Sequence, residues 1–171
     1  RRGLSVKVPA TLRFHAALGY FEDNRLLADY PTLIAQVTGK GGDAVTIHRT
    51  YLTSDGRKAP VDAPKKLMRH PLARQMTGGA IRLAPAGNRL AVTEGIETAL
   101  AVTEAVGIPT WATGNAHLLA TFQPPAGIEQ VCGARYLLGR ELDVARARLR
   151  ARRERFAQQR LGSLGIPREP L

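Results

Sequence analysis

A chain of 171 residues has room for one ordinary domain or two small ones. Its 44% hydrophobic residues suffice for a core, which must be mainly aliphatic because aromatics make up only 5%. No apolar run approaches the roughly 20 residues of a membrane-spanning helix, and no basic start leads into an apolar stretch as in a secretory signal. The single cysteine, Cys132, cannot form an internal disulfide or a cysteine zinc cluster, which fits a reducing cytoplasm. A formal net charge of +11 favours a polyanionic partner, because each neutralised phosphate releases counterions. The same excess of arginine also arises in GC-rich genomes. The chain starts at Arg1 rather than Met and reads as a fragment.

Residues 1–30 read as a short helix or loop entry, punctuated by Pro9, Gly19 and Pro31. Leu33–Thr38 and Ala44–Thr53 alternate like strands around Gly39-Lys40-Gly41-Gly42 and predict a β-hairpin. Asp55-Gly56 marks another turn, and residues 57–77 look basic and irregular. A short strand is expected over Ala80–Ala84.

From Leu90 the texture changes. Leu90–Thr93 reads as a buried strand, Ile96–Val106 as a helix stopped by Gly107 and Pro109, and Thr110–Thr113 as a second strand. Asn115 is placed to cap a helix through Phe122, which Pro124-Pro125 ends. A third strand starts at Ile128–Val131 and continues or restarts at Tyr136–Leu138, before a long Arg-rich helix over about 142–161. This β-α-β-α-β-α order implies a parallel sheet with right-handed crossovers and ligands at the carboxyl ends of its strands. The fold class is therefore α/β.

Glu94 stands at such an end, in the run Leu90-Ala91-Val92-Thr93-Glu94-Gly95-Ile96-Glu97. A carboxylate there can bind magnesium or move a proton. Gly95 is expected to let the backbone turn sharply and a phosphate approach closely. The plainer alternative is that Glu94 only favours the positive end of the helix dipole.

This segment resembles the first motif of the Toprim domain of topoisomerases and primases, and Glu94–Ala101 is most similar to replication primase–helicases of phages and plasmids. Further matching pieces occur in order: Leu12–His15, His48–Leu52, Asp55–Ala59, Gly78–Leu83 and Pro109–Ala112, so the resemblance covers about residues 1–131. It implies an amino-terminal primase-associated subdomain over 1–86 and a Toprim-like domain over 87–171. It also implies metal-dependent nucleotidyl transfer in DNA replication. Mg²⁺ would act in a two-metal manner on nucleoside triphosphates, Glu94 would be general base or metal ligand, and Glu97 would support it one helical turn on. The implied partners are a single-stranded DNA or RNA template, nucleoside triphosphates and a replicative helicase, with no membrane.

The pattern then departs from the family. An Asp-x-Asp metal pair is expected near Arg135–Leu138, where the residues are Arg-Tyr-Leu-Leu. Glu141 and Asp143 are a displaced substitute in one reading; in the favoured one, the tail from about Cys132 is a replacement or frame change and the metal site is degraded. A non-catalytic nucleic-acid-binding module is the alternative function. Candidate contacts to nucleic acid are His48, Arg49, Lys58, Lys65, Lys66 and Arg82. His70 and His117 lack a metal-ligand spacing and read as structural, and Trp111 reads as core.

Overall fold

The computed structural model describes residues 4–70 and 75–133. Two sheets follow one another. The first is antiparallel, with strands β1 (Leu12–Glu22), β2 (Arg25–Thr38), β3 (Ala44–Tyr51) and β4 (Lys65–Leu67) in sequential order. The second is parallel: β5 (Arg89–Thr93) lies between β6 (Thr110–Ala112) and β7 (Gln130–Gly133). Helix α1 (Ile96–Val106) connects β5 to β6, and the short helix α2 (Ala116–Ala120) follows β6. The parallel α/β order expected from Leu90 onward is present as far as Gly133, with α1 at the anticipated bounds and Gly107 closing it at φ 73°.

The entry segment is a correction. Residues 12–30, expected as a helix or loop, belong to two long paired strands, the second of which runs on through the expected strand Leu33–Thr38. Asp23-Asn24, at φ 46° and 61°, supply the tight two-residue connection between them. Pro31 lies inside β2 yet breaks nothing, because the pairing register shifts between His15 and Leu18, so this proline sits opposite a bulge where no ladder N–H is required. Two smaller departures follow. Lys65–Leu67 pairs with β3 within a stretch expected to be irregular. Ala80 and Ile81 form isolated bridges rather than a strand.

Those two bridges matter for the architecture. Ala80 pairs with Thr38 at the end of β2, and Ile81 pairs with Ala112 at the end of β6, so one short segment joins both sheets. Behind it a single apolar cluster takes Leu12, Ala35 and Val37 from the first sheet and Ile96, Ala99 and Ala112 from the second layer. A second cluster on the other face of the antiparallel sheet stacks Tyr20, Tyr30 and Tyr51 edge-on, with Tyr20 and Tyr51 ring centres 5.0 Å apart. Sequence positions Tyr136–Leu138, Glu141, Asp143 and the Arg-rich stretch 142–161 lie outside the described residues.

Candidate active site at the carboxyl end of the parallel sheet

Strand β5 is apolar and fully buried from Leu90 to Thr93, then surfaces abruptly. Glu94 is the first exposed residue beyond it, and α1 starts two residues later. Glu97 is exposed in the first turn of α1. The amino-terminal cap of α1 is Gly95, which offers no side-chain acceptor. The first-turn amides therefore make this end of the helix favourable to negative charge, whether carboxylate or phosphate.

The expectation of a sharp turn at Gly95 is not met. Its backbone is extended (φ −101°, ψ 141°), and a Cβ there would only touch the Thr98 hydroxyl at 3.5 Å. The left-handed turn is instead at Gly114, with φ 86°, in the neighbouring loop after β6. That loop is tied to the Glu94 loop by main-chain bonds: Thr113 N–H donates to the Thr93 carbonyl at 2.9 Å and Gly114 N–H to the Glu94 carbonyl at 2.8 Å. The buried Thr93 hydroxyl donates to the Gly95 carbonyl at 2.9 Å. Asn115 caps α2 as anticipated, its side chain accepting from Leu118 N–H at 2.8 Å. Thr93, Thr113 and Gly114 thus hold Glu94 in place. They escaped the sequence reading, although a Thr-Gly-Asn run directly after a strand is a legible turn-and-cap signal.

His48 reaches this loop from the first sheet. A Cβ on Gly114 would lie 3.5 Å from its Cδ2. The imidazole is 5% exposed and its Nδ1 is buried without a partner. Burial, reinforced by the Lys65 ammonium, lowers its pKa from 6.5 to about 4, so it is neutral near pH 7.

Strand alternation separates the other basic candidates. His48 pairs with Ala35 and Leu67, and Thr50 with Leu33 and Lys65, so His48 and Lys65 share the face turned toward α1 and the parallel sheet. Arg49 and Lys66 pair with each other on the opposite face, over the rings of Tyr51 (5.9 Å) and Tyr20 (4.0 Å). Lys58 is exposed on the loop after β3. Arg82 is half-buried: it donates to the Gly39 carbonyl at 3.0 Å and stacks 4.7 Å from the Trp111 ring. It borders a groove of about 700 Å³ that includes Gly87 and Asn88 before β5 and Ala126–Ile128 before β7, at the end of the sheet opposite Glu94. His70 is half-buried and His117 exposed, and Trp111 is core, with its indole donating to the Ala84 carbonyl at 2.8 Å.

A buried parallel strand, an exposed glutamate at its carboxyl end and an uncapped helix start make up the rim that the amino-acid pattern announced. Residues 89–159 match the Toprim domain. The Toprim match begins with β5 and includes Glu94 and Glu97, and residues 1–83 match a domain of unknown function, DUF7146. Comparison with curated proteins finds no match. Among solved structures, the chain is similar to the RNA polymerase domain of Mycobacterium tuberculosis primase DnaG, at 14% identity and a TM-score of 0.41. That likeness covers 68% of this chain and 42% of the other. The same domain in complex with double-stranded DNA gives 15% identity, a TM-score of 0.38 and coverages of 67% and 35%. The chain thus spans less than half the length of these structures.

Among the described residues no group of three or more acidic, histidine or cysteine side chains is placed to hold a metal ion. Glu94, just before the helix, and Glu97, in its first turn, supply two exposed carboxylates, a donor type suited to a hard cation that keeps much of its water. These two carboxylates are of a kind that fits magnesium, without making up a complete ligand set among the described residues.

Proposed function

We propose that the chain is a Toprim primase-like protein of a mobile element, acting in DNA replication in the cytoplasm through metal-dependent nucleotidyl transfer at the Glu94 rim. The observation that carries this reading is Glu94 itself, exposed between a buried parallel strand and the start of α1 within the Toprim match. Residues 1–86 form the primase-associated subdomain and residues 87–171 the Toprim-like domain. Mg²⁺ would supply charge neutralisation on a nucleoside triphosphate. Glu94 holds the cation or takes the proton of the attacking hydroxyl, and Glu97 supports it from the first turn of α1. The first-turn amides of α1 offer donors to phosphate oxygens. Lys65, on the face that carries His48, supplies positive charge for a DNA or RNA template. Arg49, Lys58, Lys66 and Arg82 add positive charge on other parts of the surface, and a replicative helicase is the natural partner.

The metal site is degraded in this reading. Arg135-Tyr136-Leu137-Leu138 stand where an Asp-x-Asp pair is expected, and Glu141 and Asp143 are the nearest acidic substitutes. The same observation favours a second reading, a binding module without catalysis. Primer synthesis with nucleoside triphosphates and magnesium, run beside Glu94→Ala, tests both. Weak synthesis abolished by Glu94→Ala supports a residual active site. No synthesis with retained DNA binding supports the binding module. Synthesis unchanged in Glu94→Ala refutes a role for the rim.

A further inference from the structure

The face of the antiparallel sheet turned away from Glu94 carries a line of cations. Arg13 on β1 pairs with Ile34 on β2, Ile34 with Arg49 on β3, and Arg49 with Lys66 on β4. Cross-strand partners point to the same side, so Arg13, Arg49 and Lys66 stand in one row across the sheet. With strands about 4.8 Å apart, the row spans about 14 Å. The neighbouring rows on this face hold Gln36 and Ile47 on one side and His15, Thr32 and Tyr51 on the other, without a carboxylate. Among the described residues none of the three cations has an ion-pair partner.

The row is also fixed in position. Arg49 lies over Tyr51 and Lys66 over Tyr20, with the Lys66 ammonium donating to the Phe21 carbonyl at 2.6 Å. Arg13 donates to the Ala10 carbonyl at 2.5 Å and stays exposed. The Arg49 Nε is buried with no acceptor. Met68, 51% exposed, continues the face beside Ile47, whose carbonyl accepts from the Met68 N–H. A nearby carboxylate, Glu22, accepts from the hydroxyl of Tyr20 at the Lys66 end of the row and makes no ion pair with Lys66. Three ordered cations without an ion-pair partner among the described residues, standing among half-buried apolar side chains, match the chemistry of a phosphodiester backbone rather than that of a neutral ligand.

We propose that this face, remote from the Glu94 rim, binds the backbone of single-stranded nucleic acid and so gives the protein a second contact with the strand. The inference rests on the reading that the chain handles nucleic acid, and it assigns Arg49 and Lys66 to a different surface from Lys65.

The test is fluorescence anisotropy with a labelled single-stranded oligonucleotide over a range of salt concentrations. It compares the wild type with Arg13→Gln/Arg49→Gln/Lys66→Gln and with Arg13→Glu alone. Loss of three phosphate contacts should lower the slope of log K against log salt by about 2, at about 0.7 per phosphate. At low salt the triple variant should bind at least about tenfold more weakly, since three contacts at that slope amount to two decades per decade of salt. Arg13→Glu changes only an exposed side chain and should lower both affinity and slope even if the triple variant folds poorly. Wild-type binding with unchanged slope and affinity in Arg13→Glu and in a folded triple variant overturns the proposal and leaves the functional reading standing. A wild type that does not bind the oligonucleotide at low salt overturns the functional reading itself.

Discussion

Protonation of His48 should weaken the fold in a defined pH window. The imidazole is wedged between the first sheet and the Gly114 loop, with Nδ1 unpartnered and Lys65 nearby. Its pKa falls from 6.5 to about 4 on folding. Between these values the unfolded chain binds more protons than the folded one, so stability rises with pH through the window and is lost as pH falls through it. At about 1.4 kcal/mol per unit the full loss is about 3 kcal/mol, most of it gone by pH 4.5. Urea unfolding followed by the fluorescence of the single tryptophan, Trp111, reads this directly, because Trp111 is buried on β6 of the second sheet. With a slope near 2 kcal/mol per molar, the midpoint should drop by about 1 M urea between pH 7 and pH 4.5. In His48→Leu, which cannot take up the proton, most of that drop should vanish. An equal drop in the variant would refute the assignment of the loss to His48.

Other outcomes follow from named contacts. Gly79→Ala would place a Cβ 2.6 Å from the Thr38 carbonyl, beside the bridge that joins the two sheets; thermal unfolding should show a loss of about 2 kcal/mol or more, as for an overpacked core site. Gly114→Ala must adopt φ 86° and approach His48, so it should cost about 1 kcal/mol in stability and alter Glu94-dependent function more than the fold. Trp111→Ala removes a 3% exposed side chain, its bond to Ala84 and the stacking surface of Arg82, and should cost about 3–5 kcal/mol by urea unfolding.

How far the chain could be read from its residues depended on where its signals were local. Leu90 to Val106 announces itself through a short apolar run, a glutamate, a glycine and a helical repeat, and the structure follows it closely. The first long hairpin was hidden because no β-branched residue occurs between Leu12 and Pro31, where Ala and Leu recur, and because Pro31 looks like a breaker until the bulge opposite it is known. Gly95 seemed the obvious flexible point beside Glu94, yet the left-handed backbone falls at Gly114, in another loop. Adjacent residues with similar chemistry, His48 with Arg49 and Lys65 with Lys66, end on opposite faces because a strand alternates. That separation was implicit in the sequence but acquired meaning only once the second sheet was seen to cover one face.

Paramagnetic broadening of backbone amide resonances by Mn²⁺, a stand-in for magnesium, tests the role of the Glu94 rim most directly. Broadening concentrated at residues 94–98 and 113–115, and lost in a folded Glu94→Gln variant, is the result expected if this carboxylate holds a divalent cation at the start of α1. Broadening centred elsewhere, or unchanged in Glu94→Gln, would contradict the assignment of the rim as the metal-handling site.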